Sequence, residues 1–159
     1  MNLKNIKLLV YDFDGVMTDN HVYIDEKGNE MVRVNRADGL ALSEIRNLGI
    51  KQIIISTENN PVVSERARKV NVPCLKGVSN KKNALKDYCR KKDINMDQVG
   101  FVGNDINDKE AMENSGFSFC PSDAHHCIKN ISDHVMKTMG GAGIVRELLD
   151  LLKEHYSDD

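Results

Sequence analysis

Tyr11-Asp12-Phe13-Asp14-Gly15 follows directly on the apolar run Ile6-Lys7-Leu8-Leu9-Val10. The run has the length and composition of a buried strand, and it delivers two carboxylates and a glycine at its end. A carboxylate is too costly to bury for packing alone, and it is tolerated where a metal or a reacting group uses it. Side chains alternate along a strand, so Asp12 and Asp14 would point the same way if the strand continued. Gly15 then permits a sharp turn and a close approach of backbone to a ligand. Such a strand end can bind Mg2+ and offer one carboxylate as a nucleophile.

Apolar strand candidates recur at 6–12, 51–56, 72–75, 99–103, 116–120 and 134–138, with helical spacing between several of them. Segment 38–48 carries Leu40, Leu42, Ile45 and Leu48, and Gly49 stops it. Asn60-Pro61 opens a helix whose apolar side is Val62, Val63, Ala67 and Val70. Asn80 caps a third helix through Ala84, Leu85 and Tyr88. Segment 105–113 is short, and a last helix over about 143–154 shows Ile144, Val145, Leu148, Leu149, Leu151 and Leu152. Strand alternating with helix predicts an α/β, Rossmann-like fold, a parallel sheet with helices on both faces. Ligands of such sheets sit beyond the carboxyl ends of the strands.

One stretch breaks the alternation. Residues 20–36 place Val22, Tyr23 and Ile24 on one arm and Met31, Val32 and Val34 on the other, with Glu26-Lys27-Gly28-Asn29 as the turn. This predicts a β-hairpin inserted after the first strand. A lone two-stranded hairpin is marginal in water, so it is expected to pack on something, such as another subunit. A glycine-rich segment, 139–147, precedes the last helix.

The chain has 159 residues, read as one domain, 1–159, able to bury a core. Its net charge of -2 argues against a nucleic-acid partner. No apolar run approaches the ~20 residues of a membrane span, and Met1-Asn2-Leu3-Lys4 lacks the apolar core of a signal peptide. Cys74, Cys89, Cys120 and Cys127 have no C-x-x-C spacing, so free thiols in a reducing cytoplasm are expected. His125-His126-Cys127 is the one tempting cluster, discounted because adjacent side chains on a helix or strand diverge.

Four strand ends carry complementary polar groups: Asp12/Asp14, Ser56-Thr57 after Ile53-Ile54-Ile55, Lys81 after Gly77-Val78-Ser79-Asn80, and Gly103-Asn104-Asp105-Ile106-Asn107-Asp108 after Val99-Gly100-Phe101-Val102. Together they supply a carboxylate nucleophile, a hydroxyl donor, an ammonium and a metal-binding loop. Phosphoryl transfer needs that set. Singly, each has a plainer explanation: a turn cap, a helix cap, a solvated charge, an Asx turn.

Asp12-Phe13-Asp14-Gly15-Val16-Met17-Thr18-Asp19, Ser56, Lys81 and the 103–108 loop resemble the four ordered motifs of the haloacid dehalogenase superfamily of phosphatases. The hairpin in place of a cap, and Gly140-Gly141-Ala142-Gly143-Ile144-Val145-Arg146-Glu147, resemble its capless branch. That branch contains phosphatases of 3-deoxy-octulosonate (KDO) 8-phosphate and of nine-carbon keto acids (KDN, N-acylneuraminate). It also contains the C-terminal domain of some acylneuraminate cytidylyltransferases. The resemblance implies a homotetramer whose hairpins form a shared barrel and a neighbouring subunit that helps close each site. It implies that Asp12 attacks phosphorus and that Asp14 is acid, then base. It also implies that Ser56 and Lys81 hold the phosphoryl oxygens. Mg2+ is expected on the Asp12 carboxylate, the Asp14 main-chain carbonyl and the loop of Asn104, Asp105 and Asp108. The family loop commonly reads Gly-Asp-Asp, and here Asn104 stands first. Its uncharged oxygen leaves Asp105 and Asp108 open as compensating ligands.

For the substrate, Ser56-Thr57-Glu58 followed by Arg66 and Lys69 resembles the nine-carbon branch, since the octulosonate branch usually places Arg where Glu58 stands. Glu58 is expected to meet sugar hydroxyls, and Arg66, Lys69 or Arg146 a substrate carboxylate. The leading expectation is a phosphatase of KDN or N-acylneuraminate 9-phosphate. The alternatives are KDO 8-phosphate as substrate, or a non-catalytic oligomerisation domain associated with a cytidylyltransferase. A phospho-acceptor receiver domain is disfavoured, because its acceptor Asp ends the middle strand and here Ser56 follows the 51–55 run.

Overall fold

A computed structural model describes residues 2–156. Six strands form one parallel sheet: β1 (Leu8–Tyr11), β4 (Lys51–Ile55), β5 (Cys74–Leu75), β6 (Val99–Val102), β7 (Phe117–Cys120) and β8 (His134–Val135). Their order is β5-β4-β1-β6-β7-β8. β2 (Thr18–Ile24) and β3 (Glu30–Val34) form a separate antiparallel hairpin. The helices are α1 (Arg36–Asn47), α2 (Pro61–Val70), α3 (Lys81–Lys92), α4 (Lys109–Glu113), α5 (His126–Ile131) and α6 (Ile144–Tyr156).

The alternation of β1 divides the core. Leu9 and Tyr11 face Ala41, Leu42 and Ile45 of α1, Ala67 of α2 and Leu148, Leu149 and Leu152 of α6. Leu8 and Val10 face Leu85 of α3, Ala111 and Met112 of α4 and Ile128 of α5. The sheet is therefore buried on both faces, as its near-continuous apolar strands require. β1 lies between β4 and β6, with Tyr11 opposite Ile54 and Val102. Three loops thus leave the carboxyl ends of neighbouring strands side by side. Among the described residues no helix is long and apolar enough to cross a membrane.

Several sequence boundaries move, each for a local reason. The hairpin starts at Thr18, and Arg36 belongs to α1 because the Asn35 side chain caps that helix by accepting from the Ala37 N–H. Segment 72–75 pairs only at Cys74–Leu75. Segment 134–138 ends as a strand at Val135, since the Lys137 and Thr138 N–H groups donate to the Glu147 carboxylate, both at 2.8 Å. Segment 105–113 divides into a 3-10 turn (Ile106–Asp108) and α4. α5 was not foreseen; it has six residues and buries Ile128 alone, too little for a periodic signal. His125 and Cys127 do not diverge either. The His125 ring caps α5, with Nδ1 at 2.9 Å from the Cys127 Sγ. No group of three or more His, Cys, Asp or Glu able to hold a metal occurs among the described residues.

Asp38 ties α1 to α6. Its Oδ1 accepts from the Val145 N–H (3.0 Å) and the Arg146 N–H (3.2 Å), and Oδ2 is buried without a hydrogen-bond partner. Burial pushes this carboxyl up to about 6, against the two N–H donors and Arg66. The folded state therefore binds this proton more tightly than the unfolded chain does. The contribution is fully present below the ordinary carboxyl range and is lost as pH rises through about 6. The displacement corresponds to about 3 kcal/mol. We predict that unfolding free energy plotted against pH between about 4 and 7 is displaced in Asp38→Asn relative to wild type. The wild type should lose more stability on going up through that window. Parallel curves would show that the Asp38 carboxyl is not perturbed.

Candidate active site

β1 ends at Tyr11, and the Asp12 N–H still donates to the Val102 carbonyl at 2.9 Å, so Asp12 enters the site in sheet register. The chain then turns through Gly15 (φ +83), where a Cβ would sit 2.0 Å from the Asn104 amide. The positive φ and the Asn104 side chain this close both favour glycine where the turn lies against the 103–108 loop. Lys81 is the first residue of α3 and is 2% exposed. Its Nζ donates to Asp12 Oδ1 at 2.6 Å and to Asp108 Oδ1 at 2.7 Å. Asp108 is fully buried, and its Oδ2 accepts from the Asn104 N–H (2.9 Å) and the Asp105 N–H (3.2 Å). Asp108 therefore holds Lys81 with one oxygen and shapes the loop with the other.

Two carboxylates share this one ammonium, which leaves one buried negative charge unbalanced. Burial first, and Asp108 second, push the Asp12 carboxyl up to about 7 despite the pull of Lys81. Burial pulls the Lys81 ammonium down, but Asp12 and Asp108 outweigh it and its pKa is raised. It stays charged. Asp14 is raised by partial burial and then by the Glu58 carboxylate, and the Thr18 hydroxyl opposes both.

The Asn104 side chain lies 3.0 Å from both the Asp14 carbonyl oxygen and Asp12 Oδ2. With its amide nitrogen turned to that side it donates to both; with its oxygen there, three oxygens converge with no proton among them. The second arrangement is a donor set for a hard divalent cation, which takes oxygen ligands and keeps several waters. It also places positive charge where the buried cluster lacks it. The residues present therefore fit Mg2+. Asp105 is exposed and caps the 3-10 turn, its Oδ1 accepting from the Ile106 N–H at 2.7 Å.

Ser56 follows β4 and is 1% exposed. Its Oγ accepts from the Glu58 N–H at 3.1 Å, so its own proton remains to give. Thr57 is exposed, and Glu58 lines a cleft of about 220 Å3 that opens beside Asp14. Asn20, His21 and Glu30 of the hairpin and Asn60 at the start of α2 line the same cleft, which contains no Lys or Arg. Asn60 donates to Glu30 at 2.7 Å and so joins flap to domain.

The structure thus brings together Asp12, Asp14, Ser56, Lys81, Asn104 and Asp108, with Glu58 at their mouth. Arg66 and Lys69 lie instead on a groove between β3 and α2, with Arg66 donating to the Asn35 carbonyl at 2.9 Å. Arg146 lines a third groove, with Lys137 and Glu147.

Two contributors carried no role in the sequence. Thr18 stands as a polar residue after Val16-Met17, and it is fully buried beside Asp14. Gly140 and Gly141 lie against the back of the catalytic turn, where the Gly141 N–H donates to the Val16 carbonyl at 2.9 Å. A Cβ on Gly140 would meet the Gly15 carbonyl oxygen at 2.0 Å.

Comparison with known proteins places this geometry. Residues 49–148 match the family model of haloacid dehalogenase-like hydrolases, and the chain belongs to that family. Its fold and site define a capless phosphatase of the family. Among curated proteins it is 35% identical over 150 residues to the 3-deoxy-D-manno-octulosonate 8-phosphate phosphatase KdsC of Escherichia coli (strain K12), covering 94% of this chain and 80% of that one. A solved putative hydrolase of the family from Streptomyces avermitilis is 39% identical with a TM-score of 0.90, covering 93% of this chain and 85% of that one. The Moraxella catarrhalis octulosonate 8-phosphate phosphatase, solved with magnesium, phosphate and KDO, superposes with a TM-score of 0.93 at 27% identity, covering 97% of this chain and 89% of that one.

Because the Gly140 contact is backbone against backbone, no side chain can swing away to relieve it. We predict that Gly140→Ala lowers stability by about 3 kcal/mol in denaturant unfolding. A change within about 0.5 kcal/mol would mean that the strap is not pressed onto the catalytic turn.

Proposed function

We propose that the chain is a Mg2+-dependent phosphatase of 3-deoxy-2-keto sugar acid phosphates, with KDO 8-phosphate as its first candidate substrate. One observation carries the reading: a buried ammonium bridging two carboxylates, one of them also against a convergence of oxygens, at the carboxyl ends of β1, β6 and the start of α3. The similarity to octulosonate phosphatases supports the substrate class.

In this proposal Asp12 Oδ2, the Asp14 carbonyl and the Asn104 side-chain oxygen hold the cation. Asp108, with both oxygens engaged, holds Lys81 and the loop, and Asp105 caps the turn. A Mg2+ ion held there would supply positive charge to offset the Asp12 carboxylate and the phosphate. The Asp12 carboxylate attacks phosphorus, and the bond from phosphorus to the sugar oxygen breaks. Asp14 gives its proton to that oxygen, which leaves as the alcohol. Water then attacks the phosphorus of the aspartyl phosphate, its proton passes to Asp14, and inorganic phosphate leaves with Asp12 restored. Ser56 and Lys81 donate to the phosphoryl oxygens as charge develops.

Glu58 favours a second reading. It carries a carboxylate into the cleft beside Asp14, and with Glu30 it offers acceptors for sugar hydroxyls. That suits the polyhydroxyl tail of a nine-carbon KDN or N-acylneuraminate 9-phosphate. In either case the substrate carboxylate lies beyond this acidic cleft, toward Arg66 and Lys69 or a neighbouring subunit. Exposed Val22, Tyr23, Ile24 and Met31 on the hairpin support assembly into a homotetramer through the flaps.

The test is phosphate release from KDO 8-phosphate, KDN 9-phosphate and N-acetylneuraminate 9-phosphate, ranked by kcat/KM. Turnover should disappear with EDTA, return with Mg2+, and fall by more than about 1,000-fold in Asp12→Asn. Turnover retained in that variant would exclude Asp12 as the nucleophile.

A further inference from the structure

We propose that Thr18 is the positioning residue that assigns the two oxygens of Asp14 their separate tasks. A threonine hydroxyl has one proton and two lone pairs. Here Oγ1 lies 3.2 Å from the Gly15 N–H and 3.1 Å from the Asn20 N–H, both donors. Both lone pairs are therefore taken. The single proton has one remaining partner, Asp14 Oδ1 at 3.4 Å. The hydroxyl cannot rotate away without abandoning a buried backbone donor, and Thr18 is fully buried.

The backbone is shaped to make this arrangement. Asn20 adopts φ 66, an uncommon conformation for a residue with a side chain, at the irregularity where the register of β2 against β3 shifts. That bend turns the Asn20 N–H onto Thr18 and sets Asn20 and His21 at the rim of the cleft. Gly15, at φ +83, does the same from the other side. Two positive-φ residues, one of them a glycine that adopts this conformation freely, therefore aim their neighbouring N–H groups at one hydroxyl.

The consequence is directional. Asp14 Oδ1 is occupied by the Thr18 proton, and Oδ2 accepts no hydrogen bond from the described residues. Oδ2 is thus the oxygen that carries the proton to the leaving alcohol and takes the proton from water. Without Thr18 the carboxyl rotates freely, and the proton is delivered from the correct place only part of the time.

This inference rests on the phosphatase reading, with Asp14 as acid and base, and leaving-group dependence separates the two. An alkyl phosphate such as KDO 8-phosphate needs its leaving oxygen protonated. An aryl phosphate with an acidic phenol, 4-nitrophenyl phosphate, needs it far less. We expect Thr18→Val to lower kcat/KM, which reports the step that expels the leaving group, about 10- to 100-fold on the alkyl phosphate and by no more than about threefold on the aryl phosphate. Thr18→Ser, which restores the hydroxyl, should return both rates. Thr18→Cys, whose thiol keeps the volume and is only a weak donor, serves the same comparison if the valine variant does not fold. Equal losses of kcat/KM on both substrates in a folded variant would show that Thr18 is only structural and overturn the proposal, as would an unchanged kcat/KM on the alkyl phosphate without the hydroxyl. Wild-type protein inactive on the aryl phosphate and on all three keto-acid phosphates would instead sink the phosphatase reading.

Discussion

Everything at the carboxyl edge of the sheet depends on one shared ammonium. Lys81 Nζ is held between Asp12 and Asp108 at 2.6 and 2.7 Å, with all three groups out of water. A buried charge without its partner costs several kcal/mol, so each member requires the others. The interaction joins the end of β1, the start of α3 and the loop after β6 at one point. It also leaves a net negative charge that the protein itself does not balance. In the proposed function that unbalanced charge is what a divalent cation would answer, and with it a phosphate.

A second set of contacts carries this point to the other end of the chain. Gly140 and Gly141 press on the catalytic turn from behind, and no side chain fits between the two backbones. Glu147 fixes the segment before them and Asp38 fixes the helix after them. The last helix therefore does more than cover the sheet. It clamps the strap that holds the turn carrying Asp12 and Asp14.

Much of this was legible in the sequence because it follows from period and punctuation. Alternating apolar runs with Asn and Pro caps indicated the parallel sheet, the four strand ends and the hairpin. The candidate site groups were legible because two carboxylates end a buried strand and three further strand ends carry complementary polar groups, although each group alone has a plainer explanation. What escaped shares a different cause. α5 buries one side chain, so it leaves no periodic trace. Thr18 acts through the geometry of two N–H donors that only the folded turn brings together. Arg66, Lys69 and Arg146 read as partners of a substrate carboxylate, and their charge alone says nothing about which groove each one meets. The structure sets them on grooves other than the cleft beside Asp14. Asp105 and Asp108 look alike in the loop, yet one is exposed and the other is fully buried.

In the proposed site the Asp12 carboxylate, the Asp14 carbonyl and the Asn104 side chain would hold a cation that completes the Lys81 cluster. Thermal unfolding against Mg2+ concentration tests it without any substrate. Stabilisation should grow as RT ln(1 + [Mg2+]/Kd) in wild type, and it should be largely lost in Asn104→Leu, which keeps the volume and removes the oxygen. A melting temperature indifferent to Mg2+ in wild type, or equal stabilisation in the two proteins, would contradict it.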